Sequence, residues 1–456
     1  MQPVLTIAQM QEVDARAMAT TMHDELVGRA GTAVAGAALE LMGGAYGRRV
    51  VLICGKGSNG ADGRVAARLL AARGVRVTIV APSGTEGIGY AGPRVDLVVD
   101  AAYGTGFRGA YEAPPVAGGV PVLAVDIPSG VEGDTGHAAG RVLRADVTVT
   151  FVALKPGLVQ GDGVALSGGV RVVDIGLPAD GARIAVVDDD DVATLVPARA
   201  AGGNKWVAAV LVVAGSPGMT GAAALSARAA YRTGAGMVRL GVPGGDPSSL
   251  AAGESVGITL PAAHWADSAL EAAARCHGAV VGPGLGRADT VADDVRRFLA
   301  ASPVPVVVDA DGLNALGTLD GPVGADAPVV LTPHDGEYAR LMGTDPGPDR
   351  IAAARALASR SGAVALVKGP TTAVADPSGR VLLATAGTAS LATAGTGDVL
   401  SGVICALIAR GVPSFEAAAL GAHLHGRAGS LGHRSGLMAG DLPELVARVL
   451  DDLTGD

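Results

Sequence analysis

The segment with the clearest chemical content is Thr393-Ala394-Gly395-Thr396-Gly397-Asp398, which the apolar run Val399–Ile404 follows directly. Small residues before an apolar run predict a loop that opens a helix, where unpaired backbone N–H groups and the helix dipole attract anions. A carboxylate beside such a site is suited to taking a proton from an attacking hydroxyl. The segment therefore suggests phosphoryl transfer with Asp398 as the base; the alternative is that Asp398 only caps the helix.

A lysine segment, Lys368-Gly369-Pro370-Thr371-Thr372, begins 30 positions before Asp398 and follows the apolar run Ala363–Val367. That run predicts a buried strand. A lysine at a strand end, followed by glycine and two hydroxyls, suits nucleotide phosphates, because it supplies a point charge, close backbone approach and hydroxyl donors. An exposed lysine in a turn is the alternative, but the two segments together favour a nucleotide site.

In the first half, Gly55-Lys56-Gly57-Ser58-Asn59-Gly60 follows the predicted strand Val50–Cys54 and matches the dinucleotide fingerprint GxGxxG. The fingerprint also requires an acidic residue after the next strand, and here that strand ends Val80-Ala81-Pro82-Ser83. Asp62, which we place inside the glycine loop, would repel a pyrophosphate. These features argue against an ordinary NAD dehydrogenase domain.

Polar residues also follow three further predicted strands of the first half, namely Asp100, Asp126 and Lys155. In open α/β sheets ligands bind at the carboxyl ends of the strands, so we expect these groups to converge on one crevice. Asn59, Asp100 and Ser129 offer hard oxygen ligands for an alkali or alkaline-earth cation. The alternative for Asp100 and Asp126 is that they cap turns.

Strand-like apolar runs alternate with Ala-rich helical patterns along the whole chain, which is typical of parallel sheets covered by helices. This predicts an α/β fold. The pattern loosens over residues 180–199, where the acidic run Asp188–Asp191 suits a solvated helix start. We place the domain boundary there, giving domains 1–195 and 196–456.

Composition and net charge argue against several classes of protein. The chain has 456 residues and a net charge of −9, and its 35 Lys and Arg residues form no polybasic block, which argues against nucleic-acid binding. Cys54, Cys276 and Cys405 are odd in number and far apart, as expected for reduced thiols. Without a signal-peptide pattern or a membrane-length apolar run, we expect a cytoplasmic protein that does not contact membranes.

The motifs together resemble the bifunctional NAD(P)H-hydrate repair enzymes, in which an epimerase is fused to an ADP-dependent dehydratase. The matching first-half segments are Gly55–Gly63, Asp100–Gly109 and Val125–Gly130. The matching second-half segments are Asn204-Lys205, Gly215–Ala222, Val281–Gly286, Leu331–Glu337 and the Lys368 and Asp398 segments. Several motifs in one order make the resemblance specific, and it covers almost the whole chain.

The resemblance implies two three-layer α/β/α domains, Rossmann-like at the N-terminus and ribokinase-like at the C-terminus. The first would interconvert the R and S forms of NADH or NADPH hydrated at C6 of the nicotinamide ring. The second would dehydrate the S form with ADP. The enzyme would thus be both isomerase and lyase, using K⁺ in the first domain and Mg²⁺ in the second, and we expect a homo-oligomer.

The resemblance also implies the site residues. The potassium ligands would be Asn59, Asp100 and Ser129. In the first domain the hydrate would contact Ser58, Asn59, Gly60, Ala61, Asp62, Gly104, Thr105, Gly106, Phe107, Arg108, Gly109, Ala110 and Asp126. In the second domain it would contact Gly286, His334 and Asp398, and the nucleotide would contact Lys368, Gly369, Pro370, Thr371, Thr372 and Gly397.

One position departs from the family pattern. Its first loop usually reads Asn-Asn-Gly-Gly-Asp-Gly, where this chain has Ser58-Asn59-Gly60-Ala61-Asp62-Gly63. Ala61 would add a methyl group where we expect close backbone approach, and alanine resists a positive φ.

Roles for the remaining candidates follow from their chemistry. Asp398 and Asp126 are the catalytic acid/base candidates of the two domains, with Lys155 as an alternative to Asp126. Asp309, Asp311 and Asn314 suit either phosphates bridged by Mg²⁺ or an N-cap. His423 and His425 lie two apart on a predicted helix and therefore point apart, so we do not expect a metal pair.

Two rival functions remain at this stage. The Lys368 and Asp398 segments also suit a small-molecule kinase acting on a vitamin precursor or sugar. A binding protein that senses nucleotides or RNA ends is a different class, which the net acidity disfavours.

Overall fold

The computed structural model describes residues 1–18, 22–83, 87–90, 94–199, 203–246, 253–324 and 326–455. The chain divides into two compact units, one spanning Gln2–Arg183 and the other running from Ile184 onwards. In the described part of the chain, no helix is both long enough and apolar enough to cross a membrane. Cys54, Cys276 and Cys405 are all buried and unpaired, as predicted.

The first unit contains β1 (Gln2–Val4), α1 (Ile7–Met18), α2 (His23–Met42), β2 (Arg49–Cys54), α3 (Ser58–Ala72), β3 (Arg76–Val80), β4 (Leu97–Ala101), β5 (Tyr111–Glu112), β6 (Val122–Val125), β7 (Gly140–Arg141), β8 (Val147–Phe151), α4 (Pro156–Val159), α5 (Gly163–Leu166) and β9 (Gly169–Val173). Its sheet has the order β3-β2-β4-β6-β8-β9, and each neighbouring pair is parallel. Buried side chains of α2 and α3 pack on one face of the sheet with those of β2, β4, β6 and β8.

The second unit contains β10 (Ile184–Val186), α6 (Asp189–Leu195), β11 (Ala209–Val213), α7 (Thr220–Arg232), β12 (Met237–Pro243), β13 (Val256–Leu260), α8 (Ala266–Ala273), β14 (Gly278–Val281), α9 (Asp289–Ala301), β15 (Val306–Val308), α10 (Asp311–Leu316), β16 (Val329–Leu331), α11 (Asp335–Met342), α12 (Arg350–Ser361), β17 (Val364–Val367), β18 (Thr372–Ala375), β19 (Val381–Ala384), α13 (Thr396–Ala409), α14 (Ser414–Leu431) and α15 (Leu442–Thr454). Its strands follow the order β10-β19-β18-β17-β16-β15-β14-β11-β12-β13. The pairs are parallel except that β18 runs antiparallel to both its neighbours.

Both units therefore confirm the predicted α/β class. The acidic run also begins a helix as predicted, because Asp188 caps α6 by accepting a hydrogen bond from the Asp191 backbone N–H. Helix α13 is buried over nearly its whole length and packs in the main core cluster of the second unit. A helix that is apolar on all sides and buried holds its N-terminus in a fixed place, which positions the candidate site described next.

Candidate functional site

The site of the second unit is built around the start of α13. This helix begins at Thr396, and its N-cap is Gly395, whose φ of +90° suits glycine. Asp398 is the third residue of the helix and half-buried, so its interpretation as the N-cap is wrong. The Thr396 N–H donates to the Thr393 carbonyl at 3.3 Å, whereas the Gly397 and Asp398 N–H groups have no acceptor among the described residues and remain available to an anion beside this carboxyl.

Lys368 directly follows β17 and lies beside the same helix start. Its Nζ is 2.7 Å from Oδ1 of Asp309, which directly follows β15. A Cβ built at Gly397 would lie 3.3 Å from that Nζ and 3.5 Å from Asp309 Oδ2. The fold thus brings the Lys368 and Asp398 segments together, and only glycine leaves this space open.

Asp309 anchors the lysine. Its side chain is 2% exposed and accepts hydrogen bonds of 2.8 Å from Thr332 Oγ1 and from Ser401 Oγ. Burial alone would raise the pKa of Asp309, but the Lys368 ammonium and these hydrogen bonds lower it below its ordinary value. The N-cap of α10 is Ala310, so the N-cap interpretation of Asp309 is wrong.

The electrostatics of Asp398 differ from those of Asp309. Burial raises the pKa of Asp398 to about 6, with a further increase from the Asp309 carboxylate and an opposing effect from Lys368. Asp311 and Glu337 add smaller increases. A carboxyl with a pKa near the working pH is well matched to general-base catalysis.

Two of the predicted hydrate contacts, Gly286 and His334, lie in the segments that follow β14 and β16. Gly286 has a φ of +84°, and its N–H donates to Asp311 Oδ2 at 2.9 Å. His334 is the N-cap of α11, where its exposed ring accepts at Nδ1 from the Gly336 N–H at 3.0 Å. Accepting at Nδ1 leaves the hydrogen of a neutral ring on Nε2, from which it can be donated.

The predicted nucleotide segment is a hairpin turn. Gly369, Pro370 and Thr371 connect β17 to the antiparallel strand β18, which begins at Thr372. Arg350 supports this turn by donating from Nη2 to the Lys368 carbonyl at 3.3 Å, and it pairs with Asp335 at 2.6 Å. Sequence reasoning assigned no role to Arg350, Thr332, Ser401 or Glu337, although Thr332 and Glu337 lie within the matching segment Leu331–Glu337.

The two histidines of α14 have separate environments. His423 Nε2 lies 2.8 Å from Asp189 Oδ1. Burial lowers the pKa of His425 to about 4. Across the described ranges, no group of three or more His, Cys, Asp or Glu residues is arranged to hold a metal ion.

The first unit has a cavity of about 770 Å³ at the carboxyl ends of its strands. Its wall includes most of the predicted hydrate contacts: Ser58, Asn59, Asp62, Gly104, Thr105, Gly106, Phe107 and Asp126. The predicted contacts Gly60, Ala61, Arg108, Gly109 and Ala110 do not line it. Sequence reasoning missed Asp14 and His23, which enter the wall from α1 and α2.

The three predicted potassium ligands surround one loop. Ser129 donates to Asp100 from Oγ at 2.6 Å and from its backbone N–H at 2.9 Å. Asn59 Nδ2 donates to the Tyr103 carbonyl at 2.9 Å, and the same carbonyl accepts from Ser129 Oγ at 3.1 Å. Asn59 Oδ1 is buried without a hydrogen-bond partner. The structure thus brings these oxygens together and leaves one buried acceptor unsatisfied.

Asp126 and Lys155 form the buried ion pair of the cavity. Lys155 is 1% exposed, and its Nζ lies 2.8 Å from Asp126 Oδ1, 2.8 Å from Thr150 Oγ1 and 2.9 Å from the Phe151 carbonyl. Asp126 adopts a φ of +66°, which is unusual for a residue with a side chain. Backbone strain of this kind clusters at functional sites.

Asp62 lies in helix α3, so its placement in the glycine loop is wrong. Ala61 lies in the same helix and has no positive φ, which removes the strain expected for alanine at that position. Helix α3 begins at Ser58, so the Ser58–Asp62 segment itself forms its first turns.

Comparison with known proteins follows the same division of the chain. A family model described as NAD(P)H-hydrate dehydratase matches residues 210–450, and one described as YjeF-related protein N-terminus matches residues 23–90 and 81–157. The bifunctional NAD(P)H-hydrate repair enzyme Nnr of Moorella thermoacetica is 38% identical, covering 89% of this chain and 88% of the relative. That of Mycobacterium leprae is 37% identical and covers 98% of each chain.

Solved structures resemble the second unit. The ADP/ATP-dependent NAD(P)H-hydrate dehydratase from Bacillus subtilis, co-crystallised with ATP/Mg²⁺, superposes with a TM-score of 0.51 at 26% identity, covering 58% of this chain and 97% of that one. A ribokinase-like superfamily protein from Enterococcus faecalis has a TM-score of 0.53 at 20% identity, covering 60% of this chain and 98% of that one, which shows the fold alone. Because both family models and nearly full-length relatives agree, the chain belongs to the family of bifunctional NAD(P)H-hydrate repair enzymes.

Proposed function

We propose that this protein repairs hydrated NADH and NADPH. The first domain epimerises the R and S hydrates at C6, and the second domain dehydrates the S hydrate with ADP to give NAD(P)H, AMP and phosphate. The observation that carries the proposal is the junction of Asp398, the open α13 start and the Asp309-anchored Lys368. We assign the activities to residues 1–195 and 196–456, a division that stays a prediction, as do a cytoplasmic location and a homo-oligomer.

In the dehydration step, Asp398 takes the proton of the C6 hydroxyl. The oxygen then attacks the β-phosphorus of ADP, and AMP leaves. The N–H groups at the start of α13 and the Lys368 ammonium stabilise the charge of the transferred phosphoryl group. Hydroxide is a poor leaving group, whereas the phosphate ester departs as phosphate when the C6–O bond breaks. Loss of a proton from C5 then forms the C5=C6 double bond of NAD(P)H, which explains a kinase-like site in a lyase.

Mg²⁺ fits the second site only together with the nucleotide. Asp309 has its oxygens engaged by Lys368, Thr332 and Ser401, and Asp311 accepts from Gly286 N and from Asn314 Nδ2. Mg²⁺ commonly binds through substrate phosphates, waters and one or two carboxylates. We therefore propose that Mg²⁺ enters with ADP and not through a site built from protein alone.

K⁺ fits the first site. The orphaned Asn59 Oδ1, the Asp100 carboxylate, the Tyr103 carbonyl and Ser129 Oγ are all hard oxygen donors, the type that alkali cations prefer. A bound cation would satisfy Asn59 Oδ1 and fix the Tyr103–Phe107 loop that forms part of the cavity wall. Asp126, backed by Lys155, is the proposed acid/base.

Potassium should therefore matter to one activity only. Replacing K⁺ by tetramethylammonium, a cation too large for such a site, is expected to slow epimerisation and leave ADP-dependent dehydration of the S hydrate nearly unchanged. Both rates are measured on the same full-length preparation. Equal loss of both activities would contradict this division.

The nucleotide distinguishes the proposed function from a small-molecule kinase. The loss of hydrated NADPH is followed optically with ADP and with ATP in parallel, and nucleotide products are separated by chromatography. Conversion of ADP to AMP together with recovery of NADPH supports the repair function. A stable phosphorylated product formed from ATP would support the kinase, and binding without turnover would support a sensor.

A further inference from the structure

Asp62 is a buried carboxyl in the wall of the first unit's cavity. It is 8% exposed and lines the cavity wall from α3. Its side chain has no hydrogen bond or ion pair with any residue that the structure describes. Because a buried carboxylate without a partner is costly, this environment favours the neutral acid, which can donate a proton into the cavity.

Asp126 follows β6 and lines the same cavity, but unlike Asp62 it has charged and hydrogen-bonding partners. Its Oδ1 accepts from the buried Lys155 at 2.8 Å and from Thr150 Oγ1 at 3.1 Å. Its Oδ2 faces Gly104, where a built Cβ would lie only 3.2 Å away, so the missing side chain keeps that oxygen accessible. The ammonium gives Asp126 a compensating charge that Asp62 lacks.

The two carboxyls also influence each other. Burial raises the pKa of Asp62 to about 8, and the negative charge of Asp126 contributes to the increase. The other charged or titratable groups of the cavity wall are Asp14, His23, Lys56, Tyr103 and Lys155. Asp62 has no charged partner, whereas Asp126 faces the Lys155 ammonium, and two carboxyls in one site with such different surroundings suit an acid and a base.

We propose that Asp62 is a second catalytic residue of the epimerase: it protonates the departing C6 hydroxyl of the hydrate, and Asp126 takes the proton of the water that returns. This inference rests on the proposed epimerase function and deepens it. It assigns separate acid and base roles to two groups of one cavity.

The step balances without a redox partner. The Asp62 proton moves to the C6 hydroxyl, the C6–O bond breaks, water forms, and the N1 lone pair makes an N1=C6 double bond. A water then attacks C6 from the other face, Asp126 takes its proton, and the electron pair returns to N1. One proton has passed from Asp62 to Asp126, and the reverse epimerisation, or exchange with solvent, resets the pair.

The test is Asp62→Asn in the full-length protein. Conversion of purified R hydrate to S hydrate is measured by chromatography without ADP, so that dehydration does not consume the product. We expect epimerisation to fall by about 10²–10⁴-fold, the usual contribution of a positioned acid. In the wild type, epimerisation should decline as pH rises through about 8, because Asp62 must be protonated.

Controls separate catalysis from folding. Asp24→Asn changes an exposed aspartate of α2 outside the cavity wall and should leave the rate unchanged. Dehydration of the S hydrate with ADP should be normal in Asp62→Asn. Near-wild-type epimerisation by Asp62→Asn overturns the inference, and so does a wild-type rate that stays level from pH 7 to about 9. Absence of epimerisation in the wild type would instead overturn the proposed function itself.

Discussion

Replacing Asp398 by asparagine is expected to lower the rate of ADP-dependent dehydration by about 10²–10⁴-fold, the contribution of a positioned general base. The amide keeps the size of the side chain but cannot take the hydroxyl proton. ADP binding should remain nearly intact, because Lys368 stays paired with Asp309 and the start of α13 keeps its N–H groups. The measurements are steady-state kinetics and ADP titration by calorimetry.

The pH profile provides a second readout for Asp398. Because the base must be ionised, wild-type dehydration should rise with pH through about 6, the pKa of the Asp398 carboxyl. Asp398→Asn should lack that rise in whatever rate remains. Asp345→Asn removes an exposed carboxylate near the end of α11 and serves as the matched control. Dehydration near the wild-type rate in Asp398→Asn would exclude the role as base.

Much of this site could be predicted because motifs are local. The Lys368 and Asp398 segments each combine a strand or helix end with small residues, and the predicted strand Ala363–Val367 agrees with β17 to within one residue. The neighbours of Lys368 in the sequence were enough to predict it as a phosphate ligand. The ion-pair partner of Lys368 could not be predicted, because Asp309 stands 59 residues away in the chain and has no local signal for ion pairing.

Other elements escaped prediction because tertiary packing overrode their local propensity. Helix α2 contains Gly28, Gly31 and Gly36, which weaken helix propensity by about 1 kcal/mol each relative to alanine. A Cβ at Gly31 would lie 2.4 Å from Val65 Cβ in α3, so the glycine allows the two helices to pack closely. Strand β18 was missed for a related reason: its first residue, Thr372, is the last of the phosphate motif, and antiparallel pairing with β17 and β19 defines the strand.

The Asp309→Asn substitution is expected to slow dehydration through its effect on Lys368, and not through a substrate contact of its own. Asp309 fixes Lys368 through a 2.7 Å ion pair and ties it to α13 through Ser401. The amide can keep hydrogen bonds to Thr332 and Ser401 but cannot neutralise the ammonium. A displaced charge at the phosphates should reduce kcat/KM for ADP by about 10²-fold, the usual effect of a 1 Å misplacement.

The same variant should shift the pH dependence of dehydration. In the wild type, the Asp309 carboxylate contributes to the raised pKa of Asp398, and Lys368 opposes it. Without Asp309, Lys368 acts unopposed by that charge, so the pKa of Asp398 falls and the rise in rate moves below about pH 6. Asp311 and Glu337, the other charges near Asp398, are unchanged. A purely structural defect would lower the rate at every pH and leave the rise in place.

Ser401→Ala provides the matched control for Asp309→Asn. It removes the hydrogen bond to Asp309 Oδ2 but keeps every charge, so the rise in rate should stay near pH 6 while stability falls by about 1–3 kcal/mol. Thermal unfolding of both variants monitors folding. A pH profile of Asp309→Asn that coincides with the wild type would show that Asp309 does not tune the base. The pH at which the dehydration rate rises therefore distinguishes an electrostatic effect of Asp309 from a packing effect. Only the substitution that removes the carboxylate changes the electric field at Asp398.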